Sequence, residues 1–502
     1  MIIEVRLVDS PVRRWHLELI DRLASLPHVQ VTLAERPKVQ DSRNYGGAVE
    51  GVMAFERLLH RAPPGLGTPQ DSSVLDALPL TGERTADIEL DLSSTPRANA
   101  RTWWVEFDGH TGERAAFEAL RRGAQPLVHV VRPGPMVAAS GRPGSEMPGV
   151  LATAFDDMLA GCITLIIKAV LGEEATTPSE VPLGQTSVPS LSRHLVKQAV
   201  GSVAHRGYRA LYRAPHWRVG WRYVDGPGLI DQPDSAPGGW HDLPDDGLRF
   251  YADPVPFIHL DRTYLFVEDY EHRLGRGVVS MVEFDAAGPM HTPVPVLEHR
   301  VHLSYPFVLE AEGDVWMIPE TSAAGTVELY RAAPFPHDWT LVTTIVDGVE
   351  ASDATLFRRN GKWWMLATVR SQGSFSDALS IWFADRLRGP WSAHPHNPVL
   401  IDIASARPAG RVEERDGRLL RPVQDCRNGY GAALAVAEIL RLDEQHFDQR
   451  VIARISPGAA WWPGRRLHTL NRAGRLECID GSAMAPRLWR PRTKAPDEVQ
   501  RL

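Results

Sequence analysis

The sequence predicts a multidomain protein, an N-terminal α/β domain followed by a C-terminal five-bladed β-propeller. Two observations carry that expectation. Phe257, Phe307 and Phe357 recur at an interval of 50 residues, each within the same local pattern of polar approach, apolar strand, Gly- or Asp-containing turn and aromatic-rich second strand. Looser copies centre on Val412 and Leu470, so the intervals run 50, 50, 55 and 58. A strand-built repeat of about 50 residues reads as propeller blades, and five copies read as five blades. The second observation is the opening of the chain, where strand, helix and strand follow one another as in an α/β domain.

Taken in order, IIEVRLVD at 2–9 alternates as a strand, residues 14–26 place apolar side chains at helical spacing, and VQVTLAE is a second strand. Further strands are expected in ADIELDLS at 86–93, TWWVEFDG at 102–109 and LVHVVRPG, with a helix in ERAAFEALRRG and a long apolar helix over 151–171. The α/β domain is therefore assigned to 1–172. Residues 173–215 form a Ser/Thr/Pro/Glu-rich linker and a basic helix over about 191–213, which reads either as a helix packed between domains or as a membrane-surface helix. The propeller spans 216–485, and HWRVGWRYVDG at 216–226 is expected to pair with the last blade and close the ring. The tail 486–502 holds too few apolar residues to order itself.

A net charge of −7 with 23% charged residues gives no electrostatic reason to expect nucleic acid. Cys162, Cys426 and Cys478 are too few and too scattered for a disulfide framework or a zinc knuckle, and are expected as buried thiols in a reducing compartment. The N-terminal residues lack an uninterrupted apolar run, and the stretch 162–171 is broken by Lys168 and too short to cross a bilayer, so the expected location is cytoplasmic with no transmembrane segment.

In a propeller the innermost strands line a central channel, and residues near their starts point into a funnel at one end. Counting four places back from each phenylalanine gives Asp253, Leu303 and Asp353. His302 and Ser304 in blade two, Arg407 in blade four and His468 in blade five lie at neighbouring places. The ends of the second strands add Glu268 with Asp269, Glu320 with Thr321, and Gln424 with Asp425. Glu320 is the better acid candidate of these, because Pro319 restricts the strand end and Trp316 lies upstream, so partial burial would raise its pKa. Each acid has a structural alternative: a turn cap for Asp253 and Asp353, a solvated strand end for Glu268. Arg407, Arg421 and His468 read equally as partners for these acids or as ligands for an anionic group such as a sugar phosphate. No contiguous metal-ligand spacing is present, so neither a metal nor another cofactor is expected.

The blade motifs ADPVPFIHLDRTYLFVEDY, HLSYPFVLEAEGDVWMIPETS, SDATLFRRNGKWWMLAT and ARPAGRVEERDGRLLRPVQDC resemble the propeller domain at the N-terminus of plant glucosamine inositolphosphorylceramide transferases and of bacterial relatives. That domain is similar to the five-bladed glycosidases of families 43, 32 and 68. The resemblance implies that Asp253 takes the place of the base or nucleophile and Asp353 that of the acid that orients substrate. It also implies a general-acid Glu in blade four, where this chain reads ARPAGR, so that Glu320 or Asp425 would have to substitute. More faintly, residues 1–172 resemble a formyltransferase-type domain that has lost its function, with Asp108 and His110 present but no Asn-x-His arrangement.

The expected function is chemistry at a glycosidic bond, either hydrolysis or glycosyl transfer, in intracellular glycoside, glycolipid or natural-product biosynthesis. Catalytic roles fall to Asp253, Glu320 and Asp353, and substrate contacts to Glu268, His302, Arg407, Arg421, Gln424, Asp425 and His468. The alternative is a non-catalytic propeller that binds a sugar or glycolipid, or serves as a scaffold.

Overall fold

The computed structural model describes residues 1–7, 11–36, 46–82, 85–97, 99–134, 136–173, 177–178, 190–233, 238–458 and 465–488. Most of the expected linker and nearly all of the expected tail lie outside these residues.

The N-terminal part is an α/β layer. Its sheet runs in the order Gln30–Leu33, Ile2–Arg6, Ile88–Asp91, Thr102–Phe107, Val128–Arg132, Met136–Gly141. The first four strands are parallel and the last two antiparallel. Helices α1 (Arg14–Ala24), α2 (Gly46–His60) and α3 (Glu113–Arg121) pack around α4 (Leu151–Leu171). α4 is apolar nearly all round because it is enclosed, as periodicity requires of a central helix, and it ends on Gly172 in the left-handed conformation. The sequence reading missed α2 and the edge strand Met136–Gly141. The Asp108 carboxylate accepts from Leu127 N at 2.9 Å and ties the end of Thr102–Phe107 to the approach of Val128–Arg132.

The remainder is a five-bladed β-propeller with one sheet per 50-residue repeat. The innermost strands begin at Arg249, Ser304, Ala351, Glu413 and Leu467. The fifth blade is completed from the other end of the propeller segment: Trp217–Tyr223 pairs antiparallel with Leu476–Ser482 from Tyr223↔Leu476 to Trp217↔Ser482. This is the ring closure expected from HWRVGWRYVDG. It is reinforced by a buried ion pair, in which Arg222 Nε donates to Glu477 Oε2 at 2.7 Å while Glu477 Oε1 accepts from Leu229 N at 2.6 Å. Apolar clusters fill the wedges between blades, and all three cysteines are buried free thiols.

The two parts are locked together beside the funnel. Arg142 bridges to Asp402 at 2.9 Å, and the Glu146 carboxylate accepts from Ser374 Oγ at 2.6 Å and Phe375 N at 2.8 Å. Ile401 of blade three joins the core of the α/β layer. Helix α5 (Leu191–Leu211) leans on α2 yet has no buried residue. No described helix is long and apolar enough to cross a membrane.

Glu477→Ala should cost about 3–5 kcal/mol in urea unfolding, because it leaves Arg222 buried without a counter-charge at the ring seam. A loss below about 1 kcal/mol would show that strand pairing alone holds the seam.

Candidate functional site

The site is built by one irregularity repeated around the ring. In blade one the pairing of the two inner strands shifts between Ala252 and Val255, leaving Asp253 and Pro254 as a bulge. The same shift leaves Tyr305 and Pro306 in blade two, Asp353 and Ala354 in blade three, and His468 and Thr469 in blade five. Such bulges bend a strand and re-aim a side chain. Asp253, Tyr305 and Asp353 all hold positive φ, at 50°, 41° and 57°. Aspartate tolerates this region, but a bulky tyrosine rarely adopts it, and such strain concentrates at functional sites.

The position equivalent to Asp253 in blade two is therefore Tyr305, not Leu303 as the phenylalanine count expects. Phe307 follows its bulge residue by two places, whereas Phe257 and Phe357 follow theirs by four. Leu303 lies outside the bulge, fully buried, with its N–H on Gly277 O at 3.1 Å.

Around this ring the side chains form two linked groups. In the first, Asp253 Oδ1 accepts from Thr469 Oγ1 at 2.9 Å, Asp253 Oδ2 accepts from Tyr305 N at 3.1 Å, and His468 Nε2 lies 3.6 Å from Asp253 Oδ1. His468 Nδ1 meets Asp480 Oδ1 at 2.6 Å, and Asp480 Oδ2 accepts from Asp253 N at 2.8 Å. Trp217, from the closing strand, stacks on the His468 ring at 4.1 Å. In the second group, Arg407 Nε donates to Asp353 Oδ2 at 2.6 Å, and Gln424 Nε2 donates to the same oxygen at 2.9 Å. Asp353 N donates to Glu320 Oε2 at 3.1 Å, and Ser322 Oγ donates to Glu320 Oε1 at 2.7 Å. The Arg407 guanidinium lies over the Tyr430 ring at 4.8 Å.

At the rim, Gly277 N donates to His302 Nδ1 at 2.8 Å, so in the neutral ring Nε2 carries the proton, 3.4 Å from Glu268 Oε1. Burial lowers the His302 pKa and favours that neutral form.

Five carboxyl groups thus share the funnel with two cationic groups, Arg407 and His468, among the described residues. Burial raises the Asp253 carboxyl to about 6 against the pull of His468, with Asp480 and Asp353 adding to the rise. Burial also lifts Asp353 to about 6, although Arg407 opposes it. Glu268 is pushed well above the usual carboxylate range, first by burial and then by Asp253 and Glu320. Burial disfavours the His468 imidazolium, but Asp480 and Asp253 outweigh it and hold the pKa above 6.5. The funnel therefore sets a Glu268 carboxyl that holds its proton more tightly than a solvated one beside an Asp253 that ionises at about 6.

Of the residues expected here, Asp253, Glu268, His302, Glu320, Asp353, Arg407, Gln424 and His468 converge. Arg421 and Asp425 face elsewhere. Arg421 is fully buried, with its donors on Gln449 Oε1 at 2.8 Å and the carbonyls of Ser405 and Ala406. Asp425 is held by Arg427 at 2.7 Å and Arg454 at 2.8 Å. Asp480, Tyr305, Thr469, Trp217 and Tyr430 were not foreseen. Asp480 had a signal, since it lies near the end of the second strand of blade five, much as Glu268 does in blade one. Asp253, His468 and Asp480 also bring three potential metal-ligand atoms within 4.8 Å of one another, a grouping drawn from two blades that contiguous spacing does not reveal. A cation there would compete with the His468–Asp480 hydrogen bond.

Residues 244–478 match the family described as Glucosamine inositolphosphorylceramide transferase 1, N-terminal. The propeller is thus similar to the N-terminal domain of these transferases. Glucosamine inositolphosphorylceramide transferase 1 of Oryza sativa subsp. japonica is 31% identical over 232 residues, covering 44% of this chain and 31% of that protein. The Arabidopsis thaliana protein of the same name is 30% identical over 204 residues, 40% of this chain and 26% of that one. The chain therefore spans a third or less of the curated relatives it matches. Among solved structures, an exo-β-1,3-galactanase from Clostridium thermocellum aligns with a TM-score of 0.34 at 10% identity, covering 44% of this chain and 55% of that one. The β-xylosidase RS223 aligns with a TM-score of 0.34 at 11% identity, covering 47% and 94%.

Asp353→Ala should destabilise the protein by about 3–5 kcal/mol, since it strands the buried Arg407 charge. Asp253→Asn should behave differently. The folded-state pKa of Asp253 is raised, so its contribution to stability is fully present below about 4 and is lost as pH rises through about 6. The variant should then melt a few degrees above wild type at pH 7.5 and level with it near pH 4. A deficit that persists at all pH values would contradict the raised pKa.

Proposed function

We propose that the funnel binds the sugar portion of a glycoside or glycolipid and acts at its glycosidic bond. The observation that carries this reading is the pairing, in one funnel, of a buried Glu268 whose carboxyl is pushed well above the usual carboxylate range with Asp253, which ionises near 6. Glycosidic chemistry needs such a pair: one group to protonate or deprotonate the bridging oxygen, the other to meet charge developing at the anomeric carbon. The names of the rice and Arabidopsis relatives, which concern a glucosamine-bearing inositolphosphorylceramide, favour a glycolipid.

In this reading Asp253 is the base or nucleophile, held by Thr469 and the Tyr305 amide. Glu268 is the proton carrier in place of the expected Glu320, whose two oxygens already accept from Ser322 and Asp353 N. His302, partly exposed beside Glu268, keeps its Nε2 on the Glu268 carboxyl and fixes the orientation of that group. Asp353, fixed by Arg407 and Gln424, orients a sugar hydroxyl. The phosphate-sugar alternative gains little support, since Arg407 and His468 are each engaged with carboxylates and Arg421 faces away from the funnel.

A second reading is binding without turnover. It is favoured by Arg407, which occupies the blade-four position where the glycosidase pattern calls for an acid, and which clamps Asp353.

Thermal stabilisation of wild type and Asp253→Ala by monosaccharides, sugar phosphates and glycolipid headgroups tests the site. One neutral sugar class should stabilise the wild type by several degrees and leave the variant unmoved. If wild type and variant respond alike, the ligand does not sit in the funnel. Turnover of that ligand should rise with pH through about 6 as Asp253 ionises; binding without turnover selects the second reading.

A further inference from the structure

Helix α5 presents an apolar stripe that nothing described covers. Val196, Val200 and Val203 follow the i, i+4, i+7 spacing of one helix face and are 62%, 62% and 69% exposed. The opposite face is tied down: His194 Nε2 meets Glu56 Oε1 at 2.6 Å, and His60 meets Gln198 at 3.3 Å, both on α2. The stripe is therefore held outward. By helical geometry Arg193 and Lys197 flank it on one side and Arg206 on the other. Among the described residues none of these three pairs with a carboxylate.

The charge around this stripe runs against that of the whole chain. The protein carries a net charge of −7, yet residues 181–224 contain no Asp or Glu. An apolar stripe edged by Lys and Arg, lacking acids and too polar to span, has the make-up of a helix that lies in a membrane interface. Apolar surface extends past the helix end, where Leu211 is 63% and Leu488 97% exposed, and Leu211 O accepts from Arg487 N at 2.8 Å. From there the chain enters the strand Tyr212–Arg213 and soon reaches Trp217, the residue stacked on His468 in the funnel.

We propose that α5 docks the protein on an anionic lipid bilayer surface, with the valine stripe entering the headgroup boundary and Arg193, Lys197 and Arg206 meeting lipid phosphates. The docking places a bilayer next to the strand that leads into the funnel. It goes beyond the funnel reading, because it requires no sugar in the membrane.

Co-sedimentation of the full chain with vesicles of phosphatidylcholine alone, and of phosphatidylcholine mixed with phosphatidylserine, tests it without any glycolipid. The wild type should sediment with the mixed vesicles only and be released by high salt. Lys197→Gln with Arg206→Gln, and separately Val196→Ser with Val200→Ser and Val203→Ser, should each lower the bound fraction at least about tenfold. Far-UV circular dichroism should remain unchanged, since these side chains are exposed. Absence of binding to mixed vesicles overturns the proposal, as does binding that survives both sets of substitutions. So does self-association that the valine variant abolishes in a protein that ignores vesicles, which would assign the stripe to a second copy of the chain. Sugar stabilisation in the funnel is read independently, so either proposal can fail without the other.

Discussion

Breaking the pairing of the innermost strands is the constraint on which this site depends. An unbroken strand next to the propeller axis would alternate its side chains between neighbouring blades and leave the channel lined by whatever the pleat delivered. A two-residue bulge at the same level in blades one, two, three and five breaks that alternation. It brings the side chains of Asp253, Asp353 and His468 together in the funnel, while Tyr305 lends its amide to Asp253 and packs its ring between blades two and three. That convergence forces charges together inside a buried ring, and desolvation then sets the protonation pattern: Glu268 is pushed well above the usual carboxylate range, Asp253 and Asp353 shift to about 6, and Asp480 and Asp253 raise the pKa of His468.

The α/β layer is part of the same construction. Its loop from Arg142 to Glu146 seats on the blade-three segment Ser374–Asp377, with Gly144 N donating to Asp377 Oδ2 at 3.1 Å. Ser376 in turn accepts from Arg407 Nη1 at 3.2 Å. A chain of hydrogen bonds thus runs from the α/β layer to the arginine that clamps Asp353. The layer buttresses one wall of the funnel.

Much of the fold was legible because propeller blades repeat at the level of pattern. The 50-residue phenylalanine interval together with the looser copies at Val412 and Leu470 gave the number of blades, and the alternation in HWRVGWRYVDG gave the ring closure. The site was legible only in part. Spacing from Phe307 pointed to Leu303, because a bulge shifts two residues along a strand without any compositional mark. Asp425 was drawn in with Gln424 as a strand end, and Arg421 as a cation for an acid or an anionic group, yet both lie an odd number of residues from Gln424 and point to the opposite face, so only Gln424 reaches Asp353. Asp480 was passed over although blade five carries it at the end of a second strand. Its importance comes from contact with His468 and Asp253, and the latter lies more than two hundred residues away in sequence.

The central claim is that burial in the bulged ring, rather than the mere presence of acids, sets the chemistry of the funnel. Its most direct test is a carboxyl-carbon NMR titration of the wild-type protein, with resonances assigned through Asp253→Asn and Glu268→Gln. The account predicts that Asp253 titrates near 6 and that Glu268 titrates well above the usual carboxylate range. Titration of both groups near 4, as for solvated carboxyls, would contradict it.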